Sequence, residues 1–380
     1  MRVMLPAAPP WPVAPPLPSR LLRLSLILAV LWPAACGERP GATGESPPAL
    51  LVSDRSGALR IYEERGAGVA RLLGNRGAGD RSISDTMPAR LPDGRIVFVS
   101  DRDGNPEIYV AAADGKAPRL TVDPADRPAV DSAPAPLGSD RIVFARSEPG
   151  VPSGTVEPHQ PTGGPSGTVE THQPTGGPHE SSRGPRDLFT MRLDGSGVER
   201  LTDHAADDWA PSASADGRAV VFVSDRTGSA RIHLIPDVQA ADPGAGIVCL
   251  SDIELPRSSP VPGGRASEDS APAFLPDGSI VFSRRPPGDV PHLYVMGRSG
   301  ARAGLRQITD SLTLPFGAAE PVVLDDRTIL FVTGPIADRN RSAGPVRFAV
   351  YRIALGGFNL ARVTRSQAPY ADFTRHLAGR

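Results

Sequence analysis

Cysteine, lysine and aromatic residues are scarce in this chain, and each shortage excludes a class of protein. Only two of the 380 residues are cysteine, too few for the multi-disulfide framework of a small secreted domain. Lys116 is the only lysine, and 41 basic residues stand against 42 acidic ones, so there is no basic footprint for nucleic acid. Aromatic residues make up 5%, which argues against a polysaccharide-binding platform. A Gly-x-Ser-x-Gly motif is absent, so the signature of an α/β serine hydrolase is missing.

The N-terminal residues have the pattern of an export signal followed by a tether. Arginines precede an apolar run at 24–31, which is too short to span a bilayer, and small residues lead into Cys36. We interpret residues 1–35 as a signal peptide and 36–48, rich in Gly, Pro, Glu and Ser, as a flexible tether. The segment around Cys36 resembles a bacterial lipoprotein signal, in which this cysteine carries the lipid. A plain cleaved signal and a misassigned start codon are the alternatives.

A repeated block predicts the architecture. It contains Pro, Asp-Gly, a short apolar run, Ser-Asp-Arg-x-Gly, Ile-Tyr and Leu-Thr in that order, and its fullest copy spans 85–121. The Asp-Gly pairs are turn residues, since glycine adopts positive φ without strain. Apolar runs such as 96–99 are too short for helices and rich in β-branched residues. Each block therefore predicts four short strands.

The spacing of the blocks is that of propeller blades, which repeat at about 40–50 residues. The block prolines follow one another at 46, 77, 61, 49 and 48 residues; they are Pro88, Pro134, Pro211, Pro272, Pro321 and Pro369. The longest interval contains 148–185, a segment of Pro, Gly, Ser and Thr with a tandem duplication, which we predict to be a disordered insert.

The two ends of the array complement each other. Residues 50–73 supply the last three strands of a unit, and 367–373 supply a lone first strand. Pairing them would hide two exposed sheet edges. We therefore predict an all-β, six-bladed propeller of four-stranded blades over 49–373, closed by the C-terminal strand joining the first blade. We expect no second domain, and a monomer.

The combination of Leu-Pro-Asp-Gly, Ser-Asp-Arg-x-Gly, Ile-Tyr and Arg-Leu-Thr resembles the TolB-like β-propeller repeat of bacterial envelope proteins. The resemblance covers 50–373. It implies a propeller without the α/β domain that precedes the propeller in TolB itself, and without the peptidase domain of prolyl-oligopeptidase relatives. One fold hosts many functions, so the resemblance predicts the fold rather than one activity.

Acidic residues recur three positions before the block proline: Asp85, Asp131, Asp208 and Asp269. In a propeller the first strand of each blade lines the central channel, so these carboxylates are expected to converge at one channel mouth. There they could bind a cation such as calcium, or dock a basic side chain of a partner. Alternatively, each aspartate hydrogen-bonds backbone amides at its own strand entry. No other cofactor is expected.

Cys249 and the histidines suggest no further chemistry. Cys249 ends an apolar strand and is expected to be an inert core residue. Three histidines, His159, His172 and His179, lie within the insert, where wide spacing predicts no preformed metal geometry. The others show neither nucleophile nor metal-ligand spacing.

The sequence thus favours a non-catalytic, lipid-anchored propeller of the bacterial cell envelope, with palmitate on Cys36, facing the periplasm from the outer membrane. Its loops and channel mouth would bind an envelope protein or an extracellular ligand, and only the lipid would contact the membrane. The alternative is a channel-metal-dependent hydrolase of the six-bladed lactonase type, which needs several ligands and an open coordination position for water.

Overall fold

The computed structural model describes residues 48–53, 58–64, 70–72, 83–112, 116–123, 128–149, 183–253, 266–333, 349–357, 359–363 and 372–373. They form 23 β-strands, and their only helical pieces are two three-residue 3₁₀ turns, Gly244–Gly246 and Ala301–Ala303. The all-β class is therefore confirmed for these residues. No helix among them is both long enough and apolar enough to cross a membrane.

The strands form six antiparallel sheets, and three of them come from the first half of the chain. Sheet 1 has the order β23-β1-β2-β3, with β1 (Ala49–Ser53), β2 (Arg60–Glu64), β3 (Ala70–Leu72) and β23 (Asp372–Phe373). Sheet 2 contains β4 (Asp85–Arg90), β5 (Ile96–Ser100) and β6 (Glu107–Ala111). Sheet 3 contains β7 (Val130–Leu137), β8 (Arg141–Pro149), β9 (Arg183–Arg192) and β10 (Glu199–Arg200).

The other three sheets each have four strands in chain order. Sheet 4 contains β11 (Asp208–Ala213), β12 (Val220–Ser224), β13 (Arg231–Ile235) and β14 (Val248–Cys249). Sheet 5 contains β15 (Glu268–Phe274), β16 (Ile280–Arg285), β17 (His292–Met296) and β18 (Leu305–Gln307). Sheet 6 contains β19 (Ala319–Val323), β20 (Thr328–Thr333), β21 (Ala349–Ala354) and β22 (Ala361–Arg362).

The prediction of six four-stranded blades is wrong. The described residues form five four-stranded sheets, and sheet 2 has three strands. The segment that should supply its fourth strand makes one isolated bridge, between Tyr109 and Arg119. Pro118 interrupts the ladder there, because proline has no N–H to donate, although its carbonyl accepts from Val110 N at 3.1 Å. The spacing of the repeats predicts how many residues each sheet has, but not whether every strand of that sheet forms its hydrogen bonds.

The sheets follow one another around a common centre. The inner strands β4, β7, β11, β15 and β19 contact their successors directly. Apolar clusters join each sheet to the next, and one cluster joins sheet 6 to sheet 1 through Val332, Val350, Leu51 and Tyr62. The C-terminal strand is shorter than predicted, and its two residues pair with Val52 and Ser53.

A strained bulge recurs in every inner strand from β4 to β19. The residue before the block proline has a φ near +50° in each case, and the register shifts by one residue there. These left-handed residues are Met87, Ala133, Ala210, Ala271 and Glu320. Such a conformation is costly for non-glycine residues, so it persists only because the packed sheets impose it.

The predicted bounds of the insert are wrong at both ends. Glu148 and Pro149 belong to β8, Arg183 to Pro185 belong to β9, and Pro149 pairs with Arg183. Residues 150–182 lie outside the described residues, as do the predicted signal peptide 1–35 and residues 36–47 of the predicted tether.

Candidate functional site

The four predicted aspartates all lie at the start of an inner strand, as the repeat implied, but they are buried. Asp131, Asp208 and Asp269 are 0% exposed and Asp85 is 6% exposed. Burying a carboxylate is costly unless an opposite charge and hydrogen bonds compensate. Each of the four has such a partner in its own sheet.

An arginine pairs with every one of these aspartates. Arg146 and Arg284 lie directly opposite, on the second strand, and bind Asp131 at 2.7 and 2.9 Å and Asp269 at 2.6 and 2.8 Å. Asp85 and Asp208 are paired with arginine in a second arrangement.

In sheets 2 and 4 a serine lies opposite the aspartate and the arginine comes two residues later. Arg102 binds Asp85 at 2.8 Å, and its Nε donates to Ser100 Oγ at 2.9 Å. Arg226 binds Asp208 at 2.7 and 2.9 Å and donates to Ser224 Oγ at 3.0 Å. The Ser-Asp-Arg motif therefore places an arginine beside the buried aspartate of the same sheet.

In the part of the chain that the structure describes, the four aspartates do not form one tight group of metal-binding side chains. Among the described residues, one group of three or more metal-binding side chains lies within 4.8 Å, and it contains only Asp131 of the four. Binding at a channel mouth by Asp85, Asp131, Asp208 and Asp269 stays a prediction, and so does a channel cation.

The one close acidic group lies between sheets 2 and 3 and consists of Glu107, Asp123 and Asp131. Glu107 is 1% exposed, and burial together with the carboxylates of Asp131 and Asp123 raises its pKa. Burial likewise raises the pKa of Asp131. Two guanidinium groups lie beside these three carboxylates, Arg146 at Asp123 and Asp131, and Arg119 at 4.0 Å from Glu107.

Protein groups already contact this acidic group. Thr121 Oγ1 donates to Glu107 at 2.5 Å, Asn105 donates to Glu107 at 2.9 Å, and Arg146 lies 3.2 Å from Asp123. Carboxylates could chemically hold a divalent cation, but these contacts explain the cluster without one. The sequence analysis missed Glu107 and Asp123, because their proximity depends on packing between two sheets.

Sheet 6 lacks the aspartate–arginine pair altogether. Ala318 lies at the aspartate position and Thr333 at the end of the second strand. Neighbouring His292, 2% exposed, has Nε2 3.5 Å from Asp289, while its Nδ1 has no hydrogen-bond partner among the described residues.

The C-terminal strand brings in an aspartate that the sequence analysis overlooked. Asp372 pairs with Ser53 in the register in which Asp85 pairs with Ser100 and Asp208 with Ser224. The repeat proline Pro369 suggested Ser366 for this position. A Ser-Asp-Arg motif after β1 was the available signal, because that motif accompanies an aspartate in sheets 2 and 4.

Most of the longer connections between strands lie at one end of the propeller, which we call the entry rim because the inner strands begin there; the connection 236–247 between β13 and β14 lies at the opposite end. The stretches 150–182, 254–265 and 334–348 all begin and end at the entry rim. The opposite rim carries the tight Asp-Gly turns, and Pro48, just before β1, lies there beside Arg90.

Exposed apolar side chains lie at both rims, with Val122, Leu312 and Phe316 at the entry rim and Val198, Val248 and Leu360 at the opposite rim. In the connection between β18 and β19, Leu312 is 95% and Phe316 61% exposed, while Leu314 between them is buried. Asp310 Oδ1 accepts from the backbone N and the hydroxyl of Thr313 at 2.8 and 2.5 Å, which holds this connection in shape.

Comparison with known proteins bears on the fold. No family model matches the chain. A 53-residue segment is 38% identical to dipeptidyl-peptidase 5 of Porphyromonas gingivalis, covering 14% of this chain and 8% of that protein. TolB from Acinetobacter baumannii aligns with a TM-score of 0.52 and 16% identity, over 88% of this chain and 68% of TolB. Hydrazine synthase of Kuenenia stuttgartiensis aligns with a TM-score of 0.56 and 15% identity, over 87% of this chain and 46% of that chain.

The chain has a TolB-like propeller fold. At these identities the likeness concerns the fold alone, since one propeller supports many chemistries. The predicted resemblance to the TolB-like repeat is thereby confirmed as a structural one.

Proposed function

We propose that this protein is an exported, lipid-anchored propeller of the bacterial cell envelope that binds another envelope protein or an extracellular ligand through its entry rim. Cys36 would carry the lipid, and the propeller would act as a binding scaffold without catalysis. The observation that carries the proposal is the asymmetry between the two rims.

The connections that contain 150–182, 254–265 and 334–348, and the exposed residues Leu312 and Phe316, belong to the entry rim, whereas the connection 236–247 lies at the opposite rim. Exposed apolar residues on loops held by a rigid scaffold are typical of binding surfaces. Pro48, the last residue of the tether, lies at the opposite rim. An anchor attached there leaves the entry rim free to face a partner.

The alternative, a channel-metal hydrolase, would require an ion with several protein ligands and an open position. The aspartates that could have served are each paired with an arginine. Metal analysis of the purified protein separates the two functions, because the hydrolase would carry a stoichiometric divalent ion.

Site-specific photo-crosslinking in the native host tests the binding surface. A photoreactive residue at Leu312 or Phe316 is expected to give discrete adducts, and the matched control is Val198, 48% exposed on the connection between β9 and β10 at the opposite rim. Equal adducts from Val198, or none from Leu312 and Phe316, would contradict the proposed surface.

Fatty-acid labelling tests the anchor separately. Wild-type protein is expected to incorporate labelled palmitate and to sediment with membranes, whereas Cys36→Ser should be unlabelled and soluble. An unlabelled, soluble wild type would disprove the anchor.

A further inference from the structure

A row of three side chains crosses the second, third and fourth strands of the propeller repeat. The second strand supplies phenylalanine, the third an aromatic residue, and the fourth a long polar residue. The rows are Phe98–Tyr109–Arg119, Phe144–Phe189–Arg200, Phe282–Tyr294–Gln307 and Phe331–Tyr351–Arg362. In sheet 4 the same row is Phe222–His233–Cys249.

In three of the other four rows the fourth-strand residue makes the same hydrogen bond. Its side chain donates to a carbonyl two residues further on, from Arg119 to Thr121 at 2.6 Å, from Arg200 to Thr202 at 2.9 Å and from Gln307 to Thr309 at 2.7 Å. Cys249 is too short to reach its own i+2 carbonyl in this way. Cys249, which is half-buried, therefore lacks a long side chain beside the aromatic ring, and its thiol has a backbone hydrogen bond with Ser251 instead.

His233 presents a free lone pair within this row. It is 1% exposed, its ring lies 5.7 Å from that of Phe222, and Nε2 has no hydrogen-bond partner among the described residues. Nδ1 lies 3.1 Å from the carbonyl oxygen of Arg231, which can only accept, so Nδ1 carries the proton.

The strand geometry directs this lone pair towards β14. The carbonyl of Ile232 accepts from Leu250 N on β14, and carbonyls alternate along a strand, so that of Arg231 points towards β12. The ring edge that carries Nδ1 lies beside the Arg231 carbonyl and so faces β12. The opposite ring edge, which carries Nε2, faces β14. On that side His233 and Cys249 form a non-hydrogen-bonded pair, the arrangement in which opposing side chains approach most closely.

We propose that His233 Nε2 and Cys249 Sγ form a two-ligand site for a soft monovalent cation, Cu(I). A thiolate with a neutral imidazole suits such an ion, whereas structural zinc takes four ligands and calcium takes oxygen. At metal–sulfur and metal–nitrogen distances of about 2.3 and 2.0 Å, a linear site separates Sγ from Nε2 by about 4.3 Å. The ion would lie in the space that Arg119, Arg200 and Gln307 fill in their own sheets.

Charge and proton balance are compatible with this site. Two cations act on the site: Arg226, which is paired with Asp208 at 2.7 Å, and the buried Arg231, whose charge acts on both His233 and Cys249. On binding, the thiol proton of Cys249 leaves to solvent and Cu(I) takes its place, while Nδ1 keeps its proton and its bond to Arg231. No electron transfer is involved, because the ion enters already reduced.

The repeat itself supplies the test variants. His233→Phe copies Phe189 of sheet 3, and Cys249→Gln copies Gln307 of sheet 5, so both should fold. Full-length protein without a histidine tag is titrated with Cu(I) under anaerobic conditions against a colorimetric Cu(I) chelator. Wild type and Cys36→Ser are expected to bind one equivalent, and each of the two variants should bind at least 100-fold more weakly.

Wild-type protein also provides a readout that needs no variant. Bound Cu(I) should slow alkylation of Cys249 by N-ethylmaleimide at least tenfold, measured by peptide mass spectrometry. Unchanged Cu(I) affinity in His233→Phe or Cys249→Gln, loss of binding in Cys36→Ser alone, or alkylation at an unchanged rate would each overturn the site.

Discussion

Asp269 and Arg284 form a two-point ion pair in which both side chains are fully buried, with Nε to Oδ1 at 2.6 Å and Nη2 to Oδ2 at 2.8 Å. Arg284 also donates to the carbonyls of Ser251 and Ile253. The guanidinium thus joins the inner strand of sheet 5 to the segment that leaves sheet 4. Its function in the fold is to fasten two neighbouring sheets at the entry rim.

Breaking this pair from one side should destabilise the protein strongly. Asp269→Ala leaves the Arg284 guanidinium buried without its counter-ion, which typically costs about 3–5 kcal/mol. Replacing both residues, as Asp269→Ala with Arg284→Thr, copies Ala318 and Thr333 of sheet 6 and should recover part of that loss. Urea unfolding midpoints measure both. A double variant less stable than Asp269→Ala would show that the carbonyl contacts of Arg284 dominate.

The acidic group between sheets 2 and 3 predicts a pH dependence. Because the pKa of Glu107 is raised in the folded state, the stability it contributes is present below its ordinary carboxyl pKa and is lost as pH rises through the folded pKa. Glu107→Gln keeps the shape and removes the charge, so its unfolding midpoint should exceed that of wild type at pH 7 and approach it near pH 4. Glu199→Gln, at an exposed acid of sheet 3 that lies 3.0 Å from Arg141, is the control for removing a carboxylate from the surface. A Glu107→Gln variant that is less stable at pH 7 would refute the assignment.

Because of the strained bulge, the same Ala→Val substitution should destabilise the protein by different amounts at two positions of β15. Ala271 has a φ of 48°, where a β-branched residue is strongly disfavoured, whereas Ala273 has no positive φ. Ala271→Val should therefore cost about 2 kcal/mol more than Ala273→Val, measured by chemical denaturation. Equal costs at the two positions would mean that the bulge relaxes freely.

Two turn glycines at the opposite rim should respond differently to the same substitution. Both have positive φ, but a Cβ on Gly217 would lie 2.8 Å from the backbone N of Gly138, whereas one on Gly94 would meet nothing within 4 Å. Gly94→Ala should cost about 1–2 kcal/mol from backbone strain alone. Gly217→Ala should cost clearly more, because sheets 3 and 4 meet at that point. Melting temperatures of the two variants give the comparison.

Local patterns in the sequence predicted the strands, their turns and the position of the aspartates. Their physical basis is short-range: Asp-Gly turns, short β-branched runs and a fixed count of residues per block. The Leu-Thr signature also has a local basis, since the hydroxyls of Thr121, Thr202 and Thr309 accept from a third-strand backbone N at 2.9 Å. Ser251 has the same role in sheet 4 at 2.8 Å.

The sequence analysis could not foresee the missing fourth strand of sheet 2, the arginine behind each aspartate, or the pairing of His233 with Cys249. Arg284 lies 15 residues from Asp269, and Glu107 lies 24 residues from Asp131. The number of residues between the members of such pairs is not constant. A repeat pattern in the sequence therefore does not reveal which residues are in contact.

By itself, the sequence determined an all-β repeat with acids at the inner strand entries, because backbone propensity and turn chemistry act between near neighbours. The tertiary structure alone decided whether those acids would be open ligands or buried ion pairs. Burial next to a guanidinium depends on how two strands and two sheets pack, and the cost of an unpaired buried charge makes the paired arrangement the stable one.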